Sequence, residues 1–441
     1  MRDYVFFPLL VVLCLIALPH PWVGVLTWTW LSVMNAHQFT WYVASFPVAA
    51  MVAGSTLLGI AITKDPRRFS VTPESALLML FMFWITLTLP FSFSVEQSLT
   101  MYSTVMKIDL MILVTLVLLH SRRQIELFVW IVVISLGFFG VKGGIFTILS
   151  GGQQRVWGPG GFIGGNNEIA LALIIVIPLM RYLQLQAQQM WKKLIWSGVM
   201  LLTAIAALGS QSRGALVAIA GMAVVLWMKS PRKIVTGVGI ALVSALAVGL
   251  MSANWEARMS TILDYEKDSS AQGRINAWWM AWNLAKDNFF GGGFDIYSAQ
   301  VFAQYAPNPT DVHAAHSIYF QVLGEQGFVG LAIYLLMWLF VWRSANALIR
   351  EAGKSEETRW CRNLASMCQV SLVGFAVGGA FLSLAYFDLP YDVLAMIVLT
   401  RRWIRDRMTS AAPAAQSMRA DKEASVGQVG QIARPPMPTQ R

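Results

Sequence analysis

Residues 125–149 read IELFVWIVVISLGFFGVKGGIFTIL, with a single glutamate and a single lysine in an otherwise apolar or small run. A helix of that length, rising about 1.5 Å per residue, covers a hydrocarbon core roughly 30 Å thick. Inside lipid the backbone has no water to bond, so such a run must satisfy its own N–H and C=O groups as a helix. A barrel strand would alternate apolar and polar residues, and this stretch does not. Arg122 and Arg123 stand directly before it.

Working outward, runs of the same kind cover 4–18, 22–36, 41–62, 75–92, 104–120, 168–183, 194–208, 214–228, 234–251, 318–342, 364–383 and 391–404. The expected fold is all-α, a polytopic transmembrane helical bundle of 12–13 spans with one large periplasmic loop carrying amphipathic helices. The count turns on the first three runs, because Pro19-His20-Pro21 is compatible with a hairpin of one span or two. The chain divides into helices at 1–251, the loop at 252–316, further helices at 317–408, and a tail at 409–441. The tail is rich in Ala, Pro, Gln, Ser and Gly, cannot bury a core, and is expected to be disordered and cytoplasmic. Composition agrees: 56% of the residues are hydrophobic and 13% charged, where a soluble domain carries about 25% charged residues.

The connections sort by charge. Lys64, Arg67, Arg122, Arg123, Lys192, Lys193, Lys229, Arg232, Lys233 and the arginines of 343–362 and 401–407 fall in one set. The alternate set, at 93–103, 150–166, 209–213, 252–316 and 384–390, is poor in Lys and Arg. The positive-inside rule places the first set in the cytoplasm and the second outside it. The net charge of +10 is therefore a topology signal, and nucleic acid is not an expected partner. Cys14, Cys361 and Cys368 lie in or near apolar segments without metal-ligand spacing, so they read as structural. Met1–Leu18 lacks the basic start and cleavage site of a signal peptide and reads as a helix.

The loop at 252–316 carries more than a tether needs. Ile275, Trp278, Trp279 and Trp282 recur at the spacing of one helical face, Ser269 and Ser270 offer caps before it, and Gly291-Gly292-Gly293 stops it. The spacing predicts an amphipathic helix lying along the membrane interface, with Trp278 a candidate for stacking on a sugar ring. Two polar turns face the same side. Ser210-Gln211-Ser212-Arg213-Gly214 and His313-Ala314-Ala315-His316-Ser317 each lead into a span. Helix N-termini present free N–H groups and a positive dipole end to an anion. Ser210 and Ser212, together with the guanidinium groups of Arg213 and Arg274, suit a phosphate or pyrophosphate. An arginine at a helix end is commonly a snorkelling anchor instead, so the weight rests on the three elements sharing one side. His316, or His313 three residues earlier, is the group able to take a proton near neutral pH.

Charges also sit inside runs. Lys107, Asp109 and Lys142 fall toward the outer ends of neighbouring spans, and a Lys–Asp pair lining a cavity is expected there. Glu325 is out of phase with His316 and reads as structural unless Gly324 and Gly327 bend the helix.

These stretches resemble the O-antigen ligase and O-antigen polymerase superfamily of bacterial envelope glycosyltransferases. The resemblance is carried by Ser210–Ala215, by Gly273–Trp278 with Gly291–Phe294, and by His316–Gly327, and it covers the chain to about residue 404. The segment Pro21–Asn35 is similar to the branch labelled exosortase A-associated O-glycosylation ligase. The resemblance implies a multi-pass protein of the bacterial inner membrane with a periplasmic active face. It implies a metal-independent transferase, without cofactor, whose donor is a glycan on undecaprenyl pyrophosphate and whose acceptor is a glycan, lipid or protein. Arg213 and Arg274 would hold the pyrophosphate and His316 would orient or deprotonate the acceptor hydroxyl. From the residue patterns above, Ser210, Ser212, His313, Lys142 and Trp278 are expected to bind substrate. A polymerase using a second lipid-linked glycan is an alternative within the same chemistry. A polysaccharide or lipid transporter is the alternative outside it, but the sequence shows no inverted repeat, and its polar cluster lies at one face rather than at midplane.

Overall fold

A computed structural model describes residues 2–64, 67, 69–230, 232–249, 251–253, 255, 259, 269–353 and 355–409. The expected disordered tail lies, from residue 410 on, outside the described residues.

Among the described residues the structure is helical and contains no strand. In chain order the helices are α1 Arg2–Ala17, α2 Pro21–Met34, α3 Val48–Ile62, α4 Pro73–Thr88, α5 Val95–Leu118, α6 Arg122–Leu149, α7 Asn166–Gln186, α8 Met190–Gly209, α9 Arg213–Lys229 and α10 Lys233–Gly249. The segment at 252–316 contributes α11 Ser269–Asp287 and α12 Ala299–Tyr305, and the chain continues through α13 Ile318–Glu351 and α14 Arg359–Gly379 to α15 at 388–409. Among the described residues, six stretches are long and apolar enough to cross a membrane on their own: α4 with its short extension, α5, α6, α7, α8 and α13.

The apolar runs become helices with one correction. Residues 41–62 are not one helix: α3 starts at Val48, and short 3-10 turns occupy Ala36–Phe39 and Val43–Ser45. Pro47 at the junction cannot donate to a helical ladder. Asp3 holds the preceding backbone instead, its Oδ1 accepting from the N–H groups of Trp41, Tyr42 and Val43 at 3.1, 2.8 and 3.1 Å.

α7 is the central helix, with Ile169–Ile177 buried along all its faces. α6, α8, α9 and α14 surround it. Lipid supplies no hydrophobic drive between helices, so close backbone approach matters. α6 shows this against α8: a Cβ at Gly144 would stand 2.3 Å from the Leu202 carbonyl oxygen.

The basic residues gather at one end, where helices finish. Arg402 donates to the Leu116 carbonyl at 2.7 Å, capping α5, and Arg67 donates to the Thr63 carbonyl at the end of α3. Arg401 and Arg405 both meet Glu351, at 3.0 and 3.1 Å. Cations at helix C-termini complement the negative dipole end.

α13 breaks within the bundle. Gly327 sits at φ 69°, ψ −175°, so the bend that the sequence left open as the exception is present at this glycine. The carbonyls freed above the break do not remain unsatisfied. Gly292 N–H donates to the Gly324 carbonyl at 2.9 Å and Gly293 N–H to the Glu325 carbonyl at 3.0 Å. The Trp84 indole donates to the Gln326 carbonyl at 2.9 Å. Gly291-Gly292-Gly293 thus does more than end α11: it plugs the opened helix, as irregular backbone at membrane depth requires.

Candidate functional site

The site is built at the end of the bundle opposite the arginine-rich one. α7 and α9 begin there, α8 ends there, and α11 packs across the start of α13.

The turn between α8 and α9 is fixed from within. Ser210 is fully buried, and its hydroxyl donates to the Ala207 carbonyl at 2.6 Å. Gln211 adopts the left-handed region at φ 56°, uncommon for a non-glycine residue and a mark of imposed geometry. Its amide nitrogen donates to the Gly152 carbonyl at 3.1 Å, and its oxygen accepts from Arg155 Nε at 3.2 Å. Ser212 caps α9 by accepting from the Ala215 N–H. Arg213 is the first residue of α9. The two serine hydroxyls therefore shape the turn that presents Arg213.

Asn166, the first residue of α7, donates to the Ser210 carbonyl at 2.8 Å. Two residues on, Glu168 lies within electrostatic reach of Arg274. Arg274 in turn acts on His316. The N-terminal turn of α7 therefore joins the Arg213 turn to the Arg274–His316 pair.

α11 buries a face different from the one its tryptophans suggest. Ala277, Met280, Ala281 and Leu284 are buried, whereas Trp279 and Trp282 are 53% and 40% exposed. Ala281 stands on the inner face where α13 comes close: a Cβ at Gly324 would stand 3.1 Å from that of Ala281. Ser269 and Ser270 lie in the first turn of α11 rather than before it. Trp278 faces the site segment. Its ring stacks on Phe320 at 5.1 Å and its indole donates to the Ala315 carbonyl at 2.7 Å. Asn276 clamps the same segment from further along, donating to the carbonyls of Asn308 and Asp311 at 2.8 and 2.9 Å.

These contacts set His316, which adopts φ 44° two residues before α13 begins at Ile318. Its Nδ1 is buried without a hydrogen-bond partner. Burial, with the charges of Arg274 and His313 adding to it, pushes the His316 imidazole down to about 4. It is therefore neutral at physiological pH and able to accept a proton. His313 differs: it is exposed, its Nε2 meets Asp311 Oδ1 at 2.8 Å, and its ring covers Gly273.

The structure brings Arg274, His316, His313 and Trp278 together and ties the Ser210–Arg213 turn to them through α7. It does not bring Lys142 there by any observed contact: this residue is exposed on α6. The expected Lys–Asp pair is not formed. Lys107 is exposed, whereas Asp109 is buried with Oδ2 unpartnered and lies near Tyr391 of α15. Residues two apart on a helix point to nearly opposite sides, and position along the run did not reveal that. Glu325 is buried in α13 beside Gln321, whose amide reaches its carboxylate at 3.5 Å.

Three residues of the site escaped the sequence reading. Arg155 is the one arginine in the segment at 150–166, which holds no lysine, and Asn166 and Glu168 are polar residues in the first turn of an apolar run. Both patterns are signals, because a charge or amide at a span end needs a partner.

Residues 198–335 match a family described as O-antigen ligase. Residues 1–188 match a family of unknown function (DUF5935). No curated protein matches the chain. The two matched regions meet at the site: Arg213, Arg274 and His316 come from the second, and Arg155, Asn166 and Glu168 from the first.

Proposed function

We propose that this protein, placed in the O-antigen ligase superfamily by the O-antigen ligase domain at residues 198–335, transfers a glycan from a polyprenyl pyrophosphate to an acceptor hydroxyl at the periplasmic face of the bacterial inner membrane. That domain and the long apolar helices support a multi-pass membrane ligase or polymerase. The donor and acceptor chemistry is read from the convergence of Arg274 and a neutral His316 beside the helix-start turn bearing Arg213.

In this reading Arg213 and Arg274 hold the diphosphate through charge-assisted, bidentate hydrogen bonds. The acceptor oxygen attacks the anomeric carbon as the bond from that carbon to the diphosphate oxygen breaks. The polyprenyl diphosphate leaves with the bonding electrons, its charge balanced by the two guanidinium groups and the N-terminus of α9. The acceptor proton passes to His316. The depressed basicity of His316 is part of the logic. Burial first and Arg274 second lower it in the free protein, and an incoming diphosphate offsets the arginine's share and raises the proton affinity of the imidazole. The base is thereby strengthened when the donor is present. Because the diphosphate is already a good leaving group, positioning and electrostatics supply most of what is needed.

Purified protein given a polyprenyl-pyrophosphate glycan tests this. The wild type transfers the glycan, and Arg213→Ala, Arg274→Ala and His316→Ala each abolish transfer while inserting normally. Activity on a lipid or protein acceptor identifies a ligase; chain extension on a second lipid-linked glycan identifies a polymerase. Normal transfer by all three variants refutes the assignment.

A further inference from the structure

The end of the bundle opposite the candidate site carries two adjoining clefts, of about 470 and 510 Å³, that share Arg122 and Gln186. They open where α6, α8 and α14 begin and α7 ends. The length of α7 separates them from Asn166 by roughly 30 Å.

Three side chains lining the clefts have polar atoms that are buried and lack hydrogen-bond partners: Tyr182 Oη, Gln186 Nε2 and Trp360 Nε1. Tyr182 and Trp360 are 0% and 2% exposed. Orphaned buried polar groups are rare and call for an explanation. All three can donate a hydrogen bond, so what satisfies them must be rich in acceptors.

Charge points the same way. Arg122, Arg359, Lys192 and Lys193 line the clefts, against the carboxylates of Glu126 and Glu356. Arg122 is spoken for in part: it pairs with Glu126 at 2.8 Å and lies over the Trp360 ring at 5.2 Å. The two lysines stand in the first turn of α8. Beside them, Trp130 and Trp196 meet at 5.5 Å, and the wall continues into exposed Ile134 and Ile195 on the outer surface of α6 and α8. A basic, donor-lined cleft opening onto an apolar helix face fits a phosphodiester with attached acyl chains.

We infer that this cleft binds the head group of an anionic phospholipid. Its phosphodiester oxygens accept hydrogen bonds from Tyr182, Gln186 and Trp360, Lys192 and Lys193 neutralise it, and its acyl chains lie along Trp130 and Ile134. The site is independent of the proposed transfer chemistry.

The test uses the purified full-length protein, with thermal unfolding and native mass spectrometry as readouts. The additions are dioleoylphosphatidylglycerol, dioleoylphosphatidylcholine and inorganic phosphate. Phosphatidylglycerol is expected to stay bound and to raise the unfolding temperature, whereas phosphatidylcholine and inorganic phosphate do neither. Lys192→Ala with Lys193→Ala should weaken phosphatidylglycerol binding about thirtyfold. Tyr182→Phe removes only the unpartnered hydroxyl. It should weaken binding about fivefold, with unfolding in the absence of lipid unchanged. Unaltered phosphatidylglycerol binding in both variants would overturn the inference, as would an equal shift with inorganic phosphate.

Discussion

Replacing Gly291 by alanine should unseat the plug that closes the break in α13. Gly291 sits at φ 78°, where a residue with a Cβ loses about 1–2 kcal/mol. Its added Cβ would stand 2.6 Å from the Glu325 carbonyl oxygen and the Gly327 nitrogen, and 2.7 Å from the Gln326 nitrogen. All three are backbone atoms of α13, so no flexible side chain can give way. Relief requires the loop to lift, which breaks the hydrogen bonds from Gly292 to Gly324 and from Gly293 to Glu325. A buried group left unsatisfied costs about 1–3 kcal/mol. Together the terms amount to roughly 3–8 kcal/mol, a large share of the stability of an ordinary domain. The assay is unfolding of the purified protein in mixed micelles with rising dodecyl sulfate, followed by tryptophan fluorescence. Gly198→Ala is the control, because a Cβ there meets nothing within 4 Å. If Gly291→Ala unfolds within about 0.5 kcal/mol of the wild type, the range of an inert surface change, the plug reasoning is wrong.

Further expectations follow from the same contacts. The rate of transfer at low donor concentration should hold its neutral value as pH falls through 6, where an ordinary imidazole protonates. It should drop only as pH approaches about 4, because the folded His316 binds its proton late; a loss centred near pH 6.5 would contradict this. Arg274→Lys should lower turnover by about a hundredfold, since a point charge does not reproduce the guanidinium fork; steady-state kinetics on purified protein decide it. Trp278→Phe keeps the ring stack but loses the 2.7 Å hydrogen bond to the Ala315 carbonyl. It should cost about 1 kcal/mol of stability and slow transfer through a looser His316; unfolding and turnover measured together show whether both change.

The helical fold was legible because lipid imposes a single rule, that each apolar run close its own hydrogen bonds. Runs such as 125–149 and 168–183 needed nothing else, and α6 and α7 cover them. The run at 41–62 failed because apolar composition does not register a proline or a distant carboxylate. Pro47 and Asp3 hold that segment out of the helix. In the site, Arg274, His316 and Trp278 were legible because Lys, Arg and His are few in the 252–316 segment and its tryptophans recur at helical spacing. Lys142 and Asp109 were misread for want of a rotational phase, which depends on which helix packs where. Asn166 and Glu168 stayed hidden because their partners, Ser210 and Arg274, lie more than forty residues away in sequence. Gly291-Gly292-Gly293 was read as punctuation, and only the broken α13 beside it reveals three backbones packed too closely for any side chain.

The most direct test of the central claim is binding of a polyprenyl diphosphate, without glycan, to purified wild type, Arg213→Ala, Arg274→Ala and His316→Ala. The account predicts that both arginine variants lose most of the affinity while His316→Ala binds the diphosphate like the wild type yet transfers nothing. Equal binding by all four proteins would show that the two arginines do not form a donor site.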